Sequence, residues 1–313
     1  MKQPKVSVIM PVYNTAPYLD AAIQSVLNQK LEDFELIIVN DGSTDESQSI
    51  LEYWREKDDR LYVISQSNMG LSRTRNKGLS LAKGTYVYFM DSDDLIHPDT
   101  LSTCYLLCQE QNLEFVFFDA HVFSDNPQDN ALIKSFNYNR KKTIPYKITT
   151  GKEVFEQLLK TNEFFSSVCL LFIKRDFLIE KGLDFEPDIV HEDELFTSML
   201  YLYTRRTTYI SKCFFSRRVR LDSIMTVPFS MRNIRSYFIV GQRLLSHITV
   251  YLEDKEIIRL YLSKTIDAAV WQAHTMNLVD RLKVLFECVA HWIPYVRWRT
   301  LMVLLFKKYQ LNR

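Results

Sequence analysis

The chain has 313 residues, 47% of them hydrophobic and 25% charged, a composition that folds rather than staying disordered. Lysine plus arginine (39) nearly cancels aspartate plus glutamate (38), so the net charge of +1 gives no basis for nucleic acid as a partner. The five cysteines, Cys104, Cys108, Cys169, Cys213 and Cys288, are odd in number and form no C-x-x-C pair. That argues against zinc and against a disulfide framework, and predicts reduced, cytoplasmic-facing thiols packed in a core.

The N-terminus runs from Met-Lys-Gln-Pro-Lys straight into a strand pattern, without a signal-peptide apolar region. No stretch reaches the ~20 apolar residues that span a bilayer. Val6–Met10 reads as a strand, and Tyr18–Asn28 as a helix with Leu19, Ala22, Ile23, Val26 and Leu27 at helical spacing. Glu35–Val39 is a second strand, almost wholly apolar and so buried on both faces. Ser43 and Glu46 have the spacing of a capping box for a helix through Ile50, Leu51 and Trp54. Leu61–Ser65 reads as a strand, Leu71–Lys83 as a helix ending near Gly84, and Tyr86–Met90 as a fourth strand. The alternation predicts a doubly wound, mainly parallel α/β sheet, whose ligands bind at the carboxyl ends of the strands.

A helix over Pro98–Glu110 and a strand over Glu114–Asp119 follow. Ser124–Lys152, with Pro127, Pro145 and the triplet Arg140-Lys141-Lys142, reads as a polar excursion over the surface. Ser166–Ile173 resumes as a strand, Leu195–Tyr203 as a helix, and everything from Arg232 onward is helical in pattern.

Three polar clusters stand out. Asp41, in Asn40-Asp41-Gly42-Ser43, follows the second strand, where a carboxylate can accept from a ribose hydroxyl or a base N–H; ordinary turn chemistry accounts for it equally well. Asp91-Ser92-Asp93-Asp94 follows the fourth strand. Carboxylates so close repel one another unless a cation sits among them, and oxygen ligands suit Mg²⁺ or Mn²⁺ with a diphosphate completing the shell. The plain alternative is a solvated acidic turn. His191-Glu192-Asp193-Glu194 precedes a helix, where a carboxylate can serve as general base or simply complement the helix dipole.

In order along the chain stand Pro11-Val12-Tyr13-Asn14, Asp41, Asn68-x-Gly70 with Arg75-Asn76, Asp91-Ser92-Asp93 and Glu192-Asp193. This set resembles the inverting glycosyltransferases of family 2, of the bacterial surface-polysaccharide type, over about 220 residues from Val6 to Thr226. The resemblance implies a GT-A fold and a metal-dependent enzyme moving a hexosyl or N-acetylhexosaminyl unit from a UDP-sugar to a hydroxyl of a glycan or lipid-linked saccharide. It implies that Pro11, Tyr13, Asn14, Asp41, Arg75 and Asp91 bind the nucleotide and that Asp93 ligates Mn²⁺ or Mg²⁺. Asp94, Arg220 and Ser223 would serve the donor diphosphate or sugar, with Arg217 and Arg218 competing with Arg220 for that role. Asp193 would be the catalytic base, with Glu192 orienting a substrate. Residues 1–230 are then the catalytic domain, split into a nucleotide-sugar half (1–119) and an acceptor half (120–230), and residues 231–313 a helical C-terminal region.

A sugar nucleotidyltransferase shares the sheet but needs a glycine-rich loop after strand one, where this chain has Pro11-Val12-Tyr13-Asn14-Thr15-Ala16. A non-catalytic nucleotide- or glycan-binding protein of the same fold is the other alternative; the presence of Asp93 and Asp193 speaks against it. From residue 281 to 313 there are seven lysines and arginines and one acid, Glu287, around two apolar stripes, Leu282-Leu285-Phe286-Val289-Ile293 and Trp298-Leu301-Met302-Leu305-Phe306. Such stripes suit an anionic membrane surface, placing the protein peripherally on the inner face of the cell membrane, or a helical subdomain packed on its neighbour.

Overall fold

Every residue of β1 (Val6–Val12) is buried, as a strand covered by helices on both faces must be. The computed structural model describes residues 3–126, 130–140, 147–219 and 228–307. After β1 come α1 (Ala16–Leu27), β2 (Phe34–Asn40), α2 (Ser47–Lys57), β3 (Leu61–Ser65), α3 (Leu71–Leu81) and β4 (Tyr86–Phe89). These strands pair in parallel in the order β3-β2-β1-β4.

The chain continues with β5 (Leu95–Ile96), α4 (Thr100–Gln111), β6 (Phe115–Phe123), α5 (Asn130–Ser135), α6 (Gly151–Thr161), β7 (Leu171–Lys174) and α7 (Arg175–Lys181). Then come α8 (Glu192–Tyr203), β8 (Thr207–Arg218), α9 (Met231–Ile248), α10 (Lys255–Gln272), α11 (Leu278–Glu287) and α12 (Trp298–Phe306). The finished sheet has eight strands in the order β3-β2-β1-β4-β7-β6-β8-β5. β7 runs antiparallel to both β4 and β6, and β8 runs parallel to β6 and antiparallel to β5. The α/β sheet is thus mainly parallel, with its antiparallel pairings confined to β7 and β5.

The chain folds into two compact units: Met1–Pro187 with Phe196–Leu221, and Asp188–Leu195 with Asp222–Arg313. The first holds the sheet. Its core is aromatic, with Phe185 stacked on Phe196 at 4.2 Å and Tyr86 on Phe172 at 5.1 Å. Cys104, Cys108 and Cys169 are buried in this core, as small apolar side chains, whereas Cys213 on β8 is exposed, against the expectation. In the second unit Phe238 stacks on the buried Trp292 at 5.2 Å. There the buried Arg281 donates to the carbonyls of Val303, Leu304 and Lys307, satisfying the last turn of α12. Arg297 grips Asp267 of α10 at 2.8 Å and so fixes where α12 starts.

Four local expectations are corrected. The Ser43–Glu46 capping box does not form: α2 starts at Ser47, whose N–H is accepted by Asp45 Oδ1 at 3.0 Å, while Ser43 Oγ accepts from the Asn14 amide instead. The strand expected over Ser166–Ile173 is a 3-10 turn at Val168–Leu170 followed by β7. The polar segment after Ser124 is not all surface. It contains α5, and Arg140 is buried, donating to the Phe118 carbonyl and the Asp119 carboxylate at 2.9 Å under the rings of Phe117 and Phe165. Finally, α6, α7 and the greater part of β8 have no counterpart among the elements expected from the sequence.

Candidate active site

β1 is where the strand order turns: β2 lies on one side of it and β4 on the other. Crevices in open α/β sheets form at such a point, outside the carboxyl ends of the strands. Pro11 contributes directly. Met90 N donates to Ile9 O across to β4, so by alternation the next group facing β4 would be the amide of residue 11. Proline has none, and β1–β4 pairing stops at Ile9–Phe89 while β1–β2 pairing runs on to Val12–Asn40.

The loops beyond these strand ends are tied together by side chains. Asn14 takes a left-handed φ of 52°, and its Oδ1 accepts from the Thr44 amide at 2.8 Å. Thr15 Oγ1 meets Ser92 Oγ at 2.9 Å, joining the loop after β1 to the acidic turn after β4. Tyr13 presents a half-exposed ring beside them.

Asp41 is buried, and its carboxylate accepts from Gln66 Nε2 (2.8 Å), Met69 N (2.8 Å) and Gly70 N (2.9 Å). It therefore anchors the loop between β3 and α3, where Gly70 needs a φ of 86°. Three donors leave a carboxylate one further lone-pair direction for a ligand. In α3, Arg75 is buried with its guanidinium over the Phe185 ring at 5.2 Å, and Nη2 bonds Asp91 at 2.8 Å. Its neighbour Asn76 exchanges two 2.8 Å hydrogen bonds with the backbone of Phe185 and so has a structural task.

The acidic turn Asp91–Asp94 is closed by the Asp94 amide on the Asp91 carbonyl. Its repulsion is relieved by arginines. Arg217 Nη2 lies 3.9 Å from Asp91 and Nη1 donates to Tyr138 Oη at 3.2 Å. Arg218 donates from its backbone to Asp94 (2.7 Å) and from Nε to the Asp93 carbonyl (2.7 Å). Burial pushes the Asp91 carboxyl up, but Arg75 and Arg217 outweigh it and hold it below the usual carboxylate range. Burial, with Asp93 and Asp91 beside it, pushes Asp94 well above that range. Burial pulls Arg217 down, and Tyr138, Asp94 and Asp91 more than reverse this.

Asp91 faces two arginines, Asp94 is buried and Asp93 is half-buried. No group of three His, Cys, Asp or Glu that could hold a metal exists among the described residues. One protein carboxylate plus substrate phosphates and water is nevertheless a usual shell for Mg²⁺. The residues fit a metal that arrives with a diphosphate.

Asp193 and Glu192 open α8, in the second unit. Glu192 is buried and Asp193 half-buried; Glu194 accepts from Tyr261 Oη at 2.6 Å. His191 enters the helix with a φ of 66°, its ring stacked on Tyr237 at 4.4 Å. Arg220 and Ser223 lie outside the described residues. Tyr138, Gln66 and the Thr15–Ser92 link are additions that the sequence does not announce, and Arg217 stands there only as one of three candidate arginines. The only signal for Arg217 is its place in the run Ser216-Arg217-Arg218, and Tyr138 has none.

A parallel 3-2-1-4 half-sheet with an acidic turn at its switch point, extended by antiparallel strands, is the GT-A fold. The family model described as "Glycosyl transferase family 2" matches residues 7–180. The chain belongs to this family. It is 31% identical over 230 residues to the cholesterol galactosyltransferase of Borreliella burgdorferi, covering 70% of this chain and 62% of that protein. It is 31% identical over 229 residues to glycosyltransferase GlyA of Streptococcus pneumoniae, covering 71% of this chain but 32% of that one. It is 29% identical over 294 residues to the GalNAc(5)-diNAcBac-PP-undecaprenol beta-1,3-glucosyltransferase of Campylobacter jejuni, covering 91% and 87%. Residues 1–349 of S. aureus TarS, solved with UDP-GlcNAc, share the fold with a TM-score of 0.66 at 20% identity, over 96% of this chain and 81% of that one. So does the mannosyltransferase PcManGT of Pyrobaculum calidifontis, solved with GDP-Man and Mn²⁺, at a TM-score of 0.52 and 19% identity, over 97% of this chain and 85% of that one.

Proposed function

We propose that this protein transfers a hexosyl or N-acetylhexosaminyl unit from a UDP-sugar to a hydroxyl of a glycan or lipid-linked saccharide, with inversion. The observation that carries this reading is the gathering of Asp41, Arg75, Asp91–Asp94 and Arg217 at the carboxyl ends of the parallel strands. Acidic groups there suit ribose and a cation, and arginines suit a diphosphate. The undecaprenol-linked saccharide in the name of one relative supports a lipid-linked saccharide acceptor, and the cholesterol in the name of another supports a lipid acceptor more generally. The UDP-GlcNAc and GDP-Man held by the two fold neighbours support the donor class.

A metal on Asp93 would neutralise charge that develops on the leaving diphosphate. Asp91 accepts from the ribose while Arg75 and Arg217 fix its direction. Asp193, at the start of α8, takes the proton of the acceptor hydroxyl, and attack opposite the leaving group inverts the anomeric carbon.

The test is a donor panel of UDP-, GDP- and dTDP-sugars, scored by released nucleoside diphosphate, together with calorimetry of Mn²⁺. We expect release from a UDP-sugar, and Mn²⁺ binding only when UDP is present. Asp93→Ala should remove both the turnover and the metal-dependent tightening of UDP. Equal UDP affinity in chelator and in Mn²⁺ would overturn the metal assignment; no release from any donor would overturn the transfer itself.

A further inference from the structure

The outer face of α11 is apolar and lies open. Leu278, Leu282, Phe286, Val289 and Ile293 recur every three or four residues along a helical run that continues through the π turn Cys288–Trp292. All five are exposed, Phe286 by 74% and Val289 by 60%. The same run buries Val284, Cys288 and Trp292 on its other side. Packing within the unit therefore uses one side only, and the second apolar side has no use in that packing. α12 repeats the arrangement, with Leu301 and Leu304 buried and Trp298 and Phe306 exposed. Single exposed apolar residues are ordinary; a run of five along one helix face marks an interaction surface.

Charge identifies the occupant. Between residues 278 and 307 stand five lysines and arginines and two acids, Asp280 and Glu287. Arg281 and Arg297 serve the fold and Lys283 pairs with Asp280 at 2.9 Å, but Arg299 and Lys307 keep exposed heads. Arg299 and Lys307 lie over the Trp271 ring at 5.9 and 5.8 Å, with apolar stems against an aromatic surface and charge in water. A second copy docked here would bring a second set of the same cations close by. Anionic headgroups would neutralise them while the lipid chains cover the apolar residues. No helix among the described residues is long and apolar enough to cross a membrane.

We propose that the Leu278–Ile293 face is a docking surface for an anionic bilayer, on which the second unit lies with its helix axis in the interface. This holds whether or not the chain transfers sugar, and its test reads binding alone. The full chain is sedimented with vesicles of phosphatidylcholine alone, and of phosphatidylcholine with roughly a third phosphatidylglycerol. It should pellet with the second and not the first, and less so as salt rises. The double variant Leu282→Asp/Phe286→Asp should partition roughly tenfold less or weaker still. Both side chains are exposed, so its melting temperature and UDP affinity should match those of the parent. If the parent stays in the supernatant with anionic vesicles, or the variant pellets equally, the proposal fails. It also fails if light scattering shows a dimer that the variant turns into monomer, because the face would then belong to a second copy.

Discussion

Arg217 reaches Tyr138, 79 residues before it, with one arm of its guanidinium and faces Asp91 with the other. Removing it leaves Asp91 with Arg75 alone and deprives the buried Asp94 of its compensating charge. Arg217→Met should therefore weaken UDP binding about tenfold or more, since losing one partner of a half-buried charge cluster costs more than an exposed pair is worth. Arg217→Lys keeps the charge but not the fork, and should fall between. Titration calorimetry decides this, and unchanged affinity in Arg217→Met would assign the residue to the fold alone. Asp193 calls for a different readout. A base acts in the transition state, so Asp193→Asn should slow transfer by roughly 10²–10⁴-fold and leave UDP affinity near that of the parent. Glu192→Gln is the control, because Glu192 is the adjacent acid and is buried. If that change stops turnover while Asp193→Asn does not, the base is Glu192.

At the scale of elements, one motif appears twice with opposite outcomes. Thr150 and Glu153 form a capping box at the start of α6, whereas Ser43 and Glu46, at the same spacing, do not. Ser43 Oγ is claimed by the Asn14 amide, 29 residues away, and a partner from another loop is invisible to local spacing. The strands β1, β2 and β4 were legible because burial on both faces leaves near-continuous apolar runs. β8 was not, since Ser211, Lys212 and Cys213 break its apolar run where its register with β6 is irregular around Asp119. The amino ends of the strands carry their own lock: Ser7 Oγ donates to the buried Glu35 at 2.5 Å and accepts from Gly84 N at 2.8 Å. A Cβ on Gly84 would lie 2.4 Å from the Ser7 amide nitrogen. Gly84→Ala should cost about 1–3 kcal/mol through this backbone collision. A lower urea midpoint with unaltered UDP affinity is the expected result, because the lock sits at the end of the sheet away from the acidic turn. A midpoint equal to the parent's would show that β1 yields.

Over the whole molecule, the sequence made the α/β class readable from periodicity and the strand-end polar residues from their positions. It did not reveal how those residues are neutralised. The mutual repulsion of Asp91, Asp93 and Asp94 pointed to a cation, and the structure answers much of it with Arg75 and Arg217, from α3 and β8. Arg140 went unread for the same kind of reason: a basic triplet looks solvated until the rings of Phe117 and Phe165 and the Asp119 carboxylate enclose its first member. Pairings across long stretches of chain decide the fate of charges, and no local pattern encodes them.

Pro11 has one more consequence, for how mutations read out. The point where β1 and β4 part depends on an amide hydrogen that is not there, and every other amino acid brings that hydrogen back. Size, polarity and charge at position 11 are then secondary, and alanine is no more conservative than tryptophan. Substitution tolerance there should look unlike that at Asp41 or Asp91, where a similar side chain retains part of the hydrogen bonding. An opening set by the backbone rather than by a side chain leaves evolution no graded route along which to adjust it at that position.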